Sequence, residues 1–539
     1  MPKVLVSDPI AEAGIARLRE VAEVDVRLGM SPDELKAIIG QYDALAVRSE
    51  TKVTADVLEA ATALKIIGRA GVGVDNIDVR AATERGIVVV NSPEGNTVAA
   101  AELTLAMMLA LARKIPQADA SLRAGRWDRK RFLGAEMYGK TLGIIGLGKI
   151  GGEVARRARA FEMHVIAYDP YATEEKAASY GARLVPLEEI YARSDFISLH
   201  VPLNDQTRGM IGAEQLARMK DGVRIVNCAR GGLVDEAALA AAIRAGKVAG
   251  AAVDVFRCEP VEPGNPLVAL AETVVTPHLG ASTEEAQVNV ALDIAEQIAD
   301  VLSGRPARAA VNMPALSAEA LSLARPYMIL GEKIGSLHTQ LARTLEGVGR
   351  PIQAVEVLFQ GDFGDMPTGP VTRSVLAGLL APVLSDPVNL VNAPTLAAGR
   401  GIRVSETRTT AHGEHGAGHA EYNQMLTVTA HTPEGHRTIC GTAFAPNDVR
   451  IVHIDSYHVD IQPFGHMMLT QHTDRPGIIG AVGTLLGNRG VNIAGMNVGR
   501  AGPGGRALMV LMVDDPISPE LLAQIRAIPG MESAQLVEL

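Results

Sequence analysis

An α/β fold with several domains follows from three features of the 539-residue chain. Its length exceeds the roughly 250 to 300 residues at which single cores stop growing, so more than one core is required. Hydrophobic residues make up 47% of the chain and aromatic residues only 3%, with 54 glycines. Cores of Ala, Val, Ile and Leu joined by tight glycine turns suit buried parallel strands. Finally, short β-branched runs alternate with helical patterns in two successive series, the pattern of parallel βα units.

The first series is "KVLVSD" (3–8), "ALAVRS" (44–49), "KIIGRA" (65–70) and "IVVVNS" (87–92). Next comes "TVAAAELTLAMMLALARK" (97–114), a good helix former with an apolar side too broad for a solvent-facing helix, so it links two domains while packed. The second series runs through "LGIIGLG" (142–148), "HVIAYD" (164–169), "DFISLHVP" (195–202), "VRIVNCA" (223–229), "GAAVDVF" (250–256) and "TVVTPH" (273–278). A long helix follows at 284–304, and prolines at 306 and 314 place a boundary near 315. Residues 316–455 read as helical and then mixed, interrupted by the polar "TTAHGEHGAGHAEYN" (409–423). Its His412, His415 and His419 have no helix to aim them and no carboxylate or thiolate to complete a set, so they read as a solvated loop and no metal is expected. From 465 to 539 strand and helix patterns alternate as a small β-α-β-β-α-β unit.

Net charge is −10 with Lys and Arg dispersed, which argues against a nucleic-acid partner. No charged leader with an apolar core opens the chain and no apolar run approaches the ~18 residues of a membrane span, so a soluble, cytoplasmic protein is expected. Cys228, Cys258 and Cys440 form no CxxC pair, leaving neither a disulfide framework nor a zinc site indicated.

"GLGKIG" (146–151) follows an apolar strand and opens a helical pattern, the context a dinucleotide loop requires. Gly146 would turn the strand tightly, Gly148 would let backbone approach a pyrophosphate, and Gly151 would let the helix pack on the sheet, as in a Rossmann-type, doubly wound domain. Asp169 ends the next strand, 18 residues after Gly151, where it can accept from ribose hydroxyls; Pro170 and Tyr171 follow with no Arg for a 2′-phosphate, which favours NAD. Arg230, Glu259 and His278 each follow a later strand of the series, and strand carboxyl ends line the crevice of an open α/β sheet. Arg offers a fork for a carboxylate, and a His held by a Glu moves protons, a set suited to reversible oxidation of a 2-hydroxy acid. A second glycine series, Gly477, Gly480 and Gly483, has no strand-end carboxylate after it and reads as a close-packed helix, with Asp474 and Pro476 turning into its anion-favouring N-terminus.

The segments "GRAGVGVDNID" (68–78), "NSPEGNTVAAAEL" (91–103), "GKTLGIIGLGKIG" (139–151), "NCARGGLVDEAAL" (227–239) and "TPHLGAST" (276–283) resemble the D-isomer-specific 2-hydroxyacid dehydrogenase family. "AVEVLFQG", "VNLVNAPTLAAGRGI" and "VSETR" further resemble the intervening, allosteric substrate-binding-like domain of its long form, and the last segment resembles an ACT domain. The implied fold is a flavodoxin-like substrate domain (1–98 and 288–315) with an inserted NAD domain (99–287), then an α+β intervening domain (316–455) and a ferredoxin-like βαββαβ ACT domain (465–539).

The implied activity is NAD-dependent oxidation of 3-phospho-D-glycerate to 3-phosphohydroxypyruvate, the first step of the phosphorylated pathway of L-serine biosynthesis. By the resemblance, Arg230 binds the substrate carboxylate, Glu259 orients His278, and His278 is the acid/base. Asp169 would hold the ribose, Lys149 and Ile150 the pyrophosphate, and Asp254 the nicotinamide carboxamide, with Val72, Val201, Cys228, Ala229 and Gly280 completing the NAD cleft. Arg48 and Arg69, both just past apolar strands, would clamp the 3-phosphate beside Ser49, Gly71, Gly73 and Asn96. Serine would bind as an effector between two chains at His472, Asp474 and Asn492, and a homodimer or homotetramer is implied. Two other readings stay open here: a dehydrogenase of the glyoxylate or hydroxypyruvate type, and a non-catalytic NAD-sensing binding protein.

Overall fold

Four sheets carry the chain in the computed structural model, which describes residues 1–314, 317–342, 351–385, 387–410 and 422–539. The first lobe is a five-stranded parallel sheet of β1 (Lys3–Val6), β2 (Glu23–Val26), β3 (Ala44–Val47), β4 (Ile66–Arg69) and β5 (Val88–Asn91), in the order β2-β1-β3-β4-β5. This is the flavodoxin-like order, and its ligand crevice lies where the winding reverses, at the loops after β1 and β3. β3 reads "ALAV" and is buried at every position because helices cover both faces.

The second lobe is a seven-stranded parallel sheet of β6 (Thr141–Ile145), β7 (His164–Tyr168), β8 (Arg183–Leu184), β9 (Phe196–Leu199), β10 (Val223–Asn227), β11 (Val248–Val253) and β12 (Thr273–Val275). Its order, β12-β11-β10-β9-β6-β7-β8, is the doubly wound dinucleotide-binding arrangement, with the reversal between β6 and β9.

Two long helices join the lobes. Thr97–Arg113 lays Leu105, Met108 and Leu111 on Leu142 and Ile144 of the second sheet. Glu284–Leu302 returns to the first sheet, where Val290, Ile294 and Ile298 pack on Val4, Val6 and Ile66. Each of these fully buried side chains stabilises the docking by roughly 1.5–3 kcal/mol. The return is completed by a bridge between Val90 and Ala310 and by Asn312, whose side chain accepts from Val89 N (3.0 Å) and donates to Ile87 O (2.8 Å). The boundary expected at 315 lies outside the described residues, as do His412, His415 and His419.

The third sheet has the order β14-β13-β15-β16-β17-β18, from β13 (Ala354–Gly361), β14 (Arg403–Thr409), β15 (Gln424–Thr432), β16 (Gly435–Ala445), β17 (Asp448–Ile454) and β18 (Tyr457–Ile461). Only the β13–β14 pairing is parallel. The fourth sheet, β20-β21-β19-β22, is antiparallel throughout and is built from β19 (His466–Thr473), β20 (Ile493–Arg500), β21 (Arg506–Val513) and β22 (Met531–Glu538). One of its faces packs Met468, Met509 and Leu511 under the helices Ile478–Asn488 and Pro519–Arg526. Its other face adds Leu469, Leu508 and Val510 to a single core with Leu330, Ile334 and Leu337 of the helix Ala318–Ala342.

The close-packed glycine helix expected at 477–483 is not what forms. Ile478, Val482 and Leu486 make the buried stripe at four-residue spacing, so Gly480 and Gly483 fall outside it. A methyl group at either would meet nothing within 4 Å in the chain. Gly477 caps the helix at φ 97°, a left-handed conformation that glycine adopts without cost. Among the described residues no helix is long and apolar enough to cross a membrane.

Candidate active site

The turn after β6 has the shape that its glycines predict. Gly146 sits at φ 96°, and Gly148 is the N-cap of the helix Lys149–Ala158, with open space where a Cβ would lie. A Cβ at Gly151 would come within 2.0 Å of Gly146 O, so only glycine lets helix and turn approach this closely. Val201 flanks the turn, and His200 lies beneath it with its ring on Ser198 Oγ at 2.8 Å, its pKa pushed by burial to about 4. Asp169 stands at the end of β7 and accepts from Leu147 N and Tyr171 N, both at 2.8 Å, which ties this strand-end carboxylate to the turn. An open helix N-terminus, an accessible glycine backbone and a strand-end carboxylate together fit a dinucleotide. Lys149, expected along the pyrophosphate, forms an ion pair with Glu94 of the first lobe, and Ile150 beside it packs on the second-lobe core.

The structure brings together His278 and Glu259, the two residues expected to form a pair. His278 Nδ1 lies 2.7 Å from Glu259 Oε2, and Glu259 Oε1 accepts from Phe256 N at 3.0 Å. Burial raises the Glu259 pKa, but the His278 hydrogen bond, the Phe256 N–H and the charges of His278 and Arg230 outweigh it and hold the carboxyl below the usual range. His278 takes a left-handed backbone (φ 56°) and donates its N–H to Asp254 O at 2.9 Å. Asp254 has no exposed surface; its carboxylate accepts from Thr276 Oγ1 (2.6 Å), Leu279 N (2.7 Å) and Gly280 N (3.0 Å). The visible work of Asp254 is therefore to hold the loop that aims His278. Burial, partly offset by these hydrogen bonds, raises its pKa.

Three guanidinium groups gather at the same cleft. Arg230 follows β10, its backbone fixed by Asn227, which donates to Arg230 O (2.9 Å) and accepts from Ala229 N (3.1 Å). Arg69 ends β4 and folds over Gly71, where a Cβ would lie 2.0 Å from its Nη1. Burial and the nearby charges of Arg230 and Arg48 lower the Arg69 pKa to about 10, while Asp75 and Asp8 oppose the shift. Arg48 and the exposed Ser49 lie in the loop after β3, which Asp8 fixes by accepting from Arg48 N (2.6 Å) and Thr51 N (3.0 Å). Arg69 Nε, Ser92 Oγ and Asn96 Oδ1 are buried without a hydrogen-bond partner among the described residues, so each can pair with a bound polar group or water. Val72 O accepts from Asn91, and Gly73 lies against Arg230. Cys228 packs on Met107, its thiol pushed to about 12 by burial, so it contributes shape rather than a nucleophile.

Asp75, Glu94, Asp8 and His200 were not singled out in the sequence. Asp75 and Glu94 lie inside quoted motifs and Asp8 follows β1, but their partners, Arg230, Lys149 and the Arg48–Thr51 loop, are remote in sequence and no spacing reveals them; His200 pairs locally with Ser198, and what places it under the turn is the fold.

The expected effector residues fall into two groups. His472 is buried with Nδ1 unpartnered, its pKa lowered by burial against the pull of Asp474 and Glu532. Asp474 accepts from Arg500 Nη1 at 3.4 Å. Asn492 donates to Asp514 (2.7 Å) at the opposite end of the sheet: β21 pairs Arg506 with Thr473 and Val513 with Ile493. At about 3.3 Å per residue, Asn492 is on the order of 20 Å from Asp474 in one chain.

Residues 105–280 match the NAD binding domain of D-isomer specific 2-hydroxyacid dehydrogenases, 323–455 the D-3-phosphoglycerate dehydrogenase intervening domain, and 466–530 the ACT domain. Over 540 aligned residues covering both chains fully, the sequence is 48% identical to a D-3-phosphoglycerate dehydrogenase of Archaeoglobus fulgidus. It is 41% identical to that of Bacillus subtilis over 542 residues, again with full coverage of both. Among solved structures, a glyoxylate reductase from Paecilomyes thermophila (34% identity, TM-score 0.54) aligns with 57% of this chain and 98% of its own. A D-lactate dehydrogenase from Aquifex aeolicus, complexed with NAD and lactic acid, aligns at 28% identity and TM-score 0.51, over 56% of this chain and 96% of its own.

Proposed function

The chain belongs to the D-3-phosphoglycerate dehydrogenase family, and on that premise we propose that it oxidises 3-phospho-D-glycerate to 3-phosphohydroxypyruvate in serine biosynthesis. The observation that carries the reading is the gathering of Arg48, Arg69 and Arg230 around a cleft that also holds the His278–Glu259 pair. A substrate with a carboxylate at one end and a phosphate at the other needs cationic forks at two places and a proton acceptor between them.

Arg230 takes the carboxylate, and Arg48 with Arg69 takes the phosphate. Glu259 occupies His278 Nδ1, which leaves Nε2 to accept the hydroxyl proton and later return it. Gly146 to Gly151, with Asp169, form the cradle that would hold NAD. Bound NAD supplies the hydride acceptor. Mixing protein, NAD and 3-phosphoglycerate and following absorbance at 340 nm tests the proposal: a rise is expected. Turnover of glyoxylate without turnover of 3-phosphoglycerate would instead mark a glyoxylate-type dehydrogenase, and no turnover of either would mark a binding protein.

Serine regulation at the C-terminal domain is part of the same reading, with the His472–Asp474 end of one chain meeting Asn492 of another. Pairing of whole chains is supported by the exposed Leu122, Trp127, Leu133 and Tyr138, with Trp127 77% and Leu133 82% exposed, apolar surface of the kind that marks an interface.

A further inference from the structure

Arg230 is held from two sides. Its own lobe fixes the backbone through Asn227 and takes one N–H of Nη1 on Ala229 O (2.6 Å). The opposite lobe supplies Asp75, in the loop after β4, which accepts from Arg230 Nε at 3.0 Å. Gly73 completes the seat: a Cβ there would lie 2.0 Å from Arg230 Nη2 and 2.7 Å from Asp75 Oδ2. We propose that Asp75 is a positioning residue for Arg230, reaching it across the cleft and aiming its guanidinium at the substrate carboxylate. The proposal rests on the reading of Arg230 as the carboxylate grip.

A guanidinium carries five N–H groups in one plane. Among the described residues, Asp75 takes the Nε–H and Ala229 one N–H of Nη1, which leaves N–H groups on both terminal nitrogens for a ligand. That leaves the end of the fork able to take a carboxylate bidentately while its side is anchored. An unanchored Arg would have to be ordered by the substrate itself, at the expense of affinity. Because Asp75 and Arg230 belong to different lobes, the anchor exists only when the lobes lie together, so the grip is aimed by the approach of the lobes. The Asp75 side chain is 61% exposed and that of Arg230 27%. A mere surface ion pair of this kind would count for little, and the two views predict different kinetics.

The test is steady-state kinetics of Asp75→Ala, Asp75→Asn and Gly73→Ala in the full chain, with NADH affinity measured by fluorescence titration. Loss of one charge-assisted hydrogen bond should raise KM for 3-phosphoglycerate about tenfold in Asp75→Ala, with kcat and NADH affinity nearly unchanged. Asp75→Asn keeps an acceptor for Nε and should recover most of the loss. Gly73→Ala pushes Nη2 out of its seat without altering charge and should raise KM in the same way. A KM unchanged in Asp75→Ala would overturn the proposal, and so would a KM lowered in both Asp75 variants, which would make Asp75 a competitor for Arg230. Arg230→Lys separates the premises: if it raises KM while Asp75→Ala does not, only positioning fails; if Arg230→Lys leaves KM unchanged, the grip itself is wrong.

Discussion

The proposed base, His278, is fixed in position by its neighbours. Glu259 holds Nδ1, Asp254 O takes its N–H, and the Asp254 carboxylate fixes the two residues that follow. His278→Ala should therefore lower kcat by a factor on the order of 10² to 10⁴ while NADH still binds, read by stopped-flow turnover and fluorescence titration. Near-normal turnover would remove the assignment. Arg69 is a different case, a half-buried side chain whose buried Nε has no partner among the described residues, so on the proposed reading the ligand should supply that contact. Arg69→Ala and Arg48→Ala should each raise KM for 3-phosphoglycerate more than for an unphosphorylated 2-hydroxy acid; equal rises would dismiss the phosphate clamp. Arg230, Glu259 and His278 could be picked from the sequence as candidates because each follows a strand of the second series, a local signal, and the structure brings them to one cleft. Asp75 and Glu94 could not, since each matters through a partner in the other lobe, and linear spacing says nothing about which loops a cleft brings face to face.

Among elements, the turn and helix at 146–158 give the cleanest separation of structural from ligand-directed glycine. At Gly151 an added methyl would strike Gly146 backbone at 2.0 Å, whereas at Gly148, with φ −72°, it would meet nothing within 4 Å. Gly151→Ala should force turn and helix apart, lowering stability by about 1–3 kcal/mol and weakening NADH binding with it. Gly148→Ala should leave the melting temperature nearly unchanged and weaken NADH alone, because among the described residues nothing stands where its methyl group would lie. Calorimetry and titration on both variants check the contrast; a destabilised Gly148→Ala would contradict it. Both parallel series were readable because buried strands are nearly continuous apolar runs. β2, "EVDV", and the two-residue β8 were missed: each is a short sheet edge, and β2 carries charges that cancel the signal. The glycine series at 477–483 misled for the opposite reason. Its spacing is helical, but the helix turns its Ile478–Val482–Leu486 side to the sheet and leaves Gly480 and Gly483 uncovered.

Across the whole molecule, the C-terminal sheet is not an appendage on a free linker. Its Leu469, Leu508 and Val510 share one core with Leu330, Ile334 and Leu337, and Gln340 pairs with the Glu538 backbone in both directions, at 2.7 and 2.9 Å. Events at this sheet are thus coupled by packing to the helix Ala318–Ala342. The intervening unit in turn touches the first lobe through Asn389, which donates to Gly86 O at 2.9 Å in the turn before β5. Within one chain, however, Asp474 and Asn492 stand at opposite ends of the sheet, so an effector site using both must draw on two chains. Subunit mixing tests this directly. Homo-oligomers of Asp474→Ala and of Asn492→Ala should each lose serine inhibition. In a mixed pair, one interface combines the native Asp474 of one chain with the native Asn492 of the other, while the second interface has neither. Co-expressed mixed oligomers should therefore regain part of the inhibition that both homo-oligomers lack, measured as initial rate against serine concentration. If inhibition stays absent in the mixture, the two residues do not share an interchain site, and any serine bound would have to be held by one end of the sheet alone.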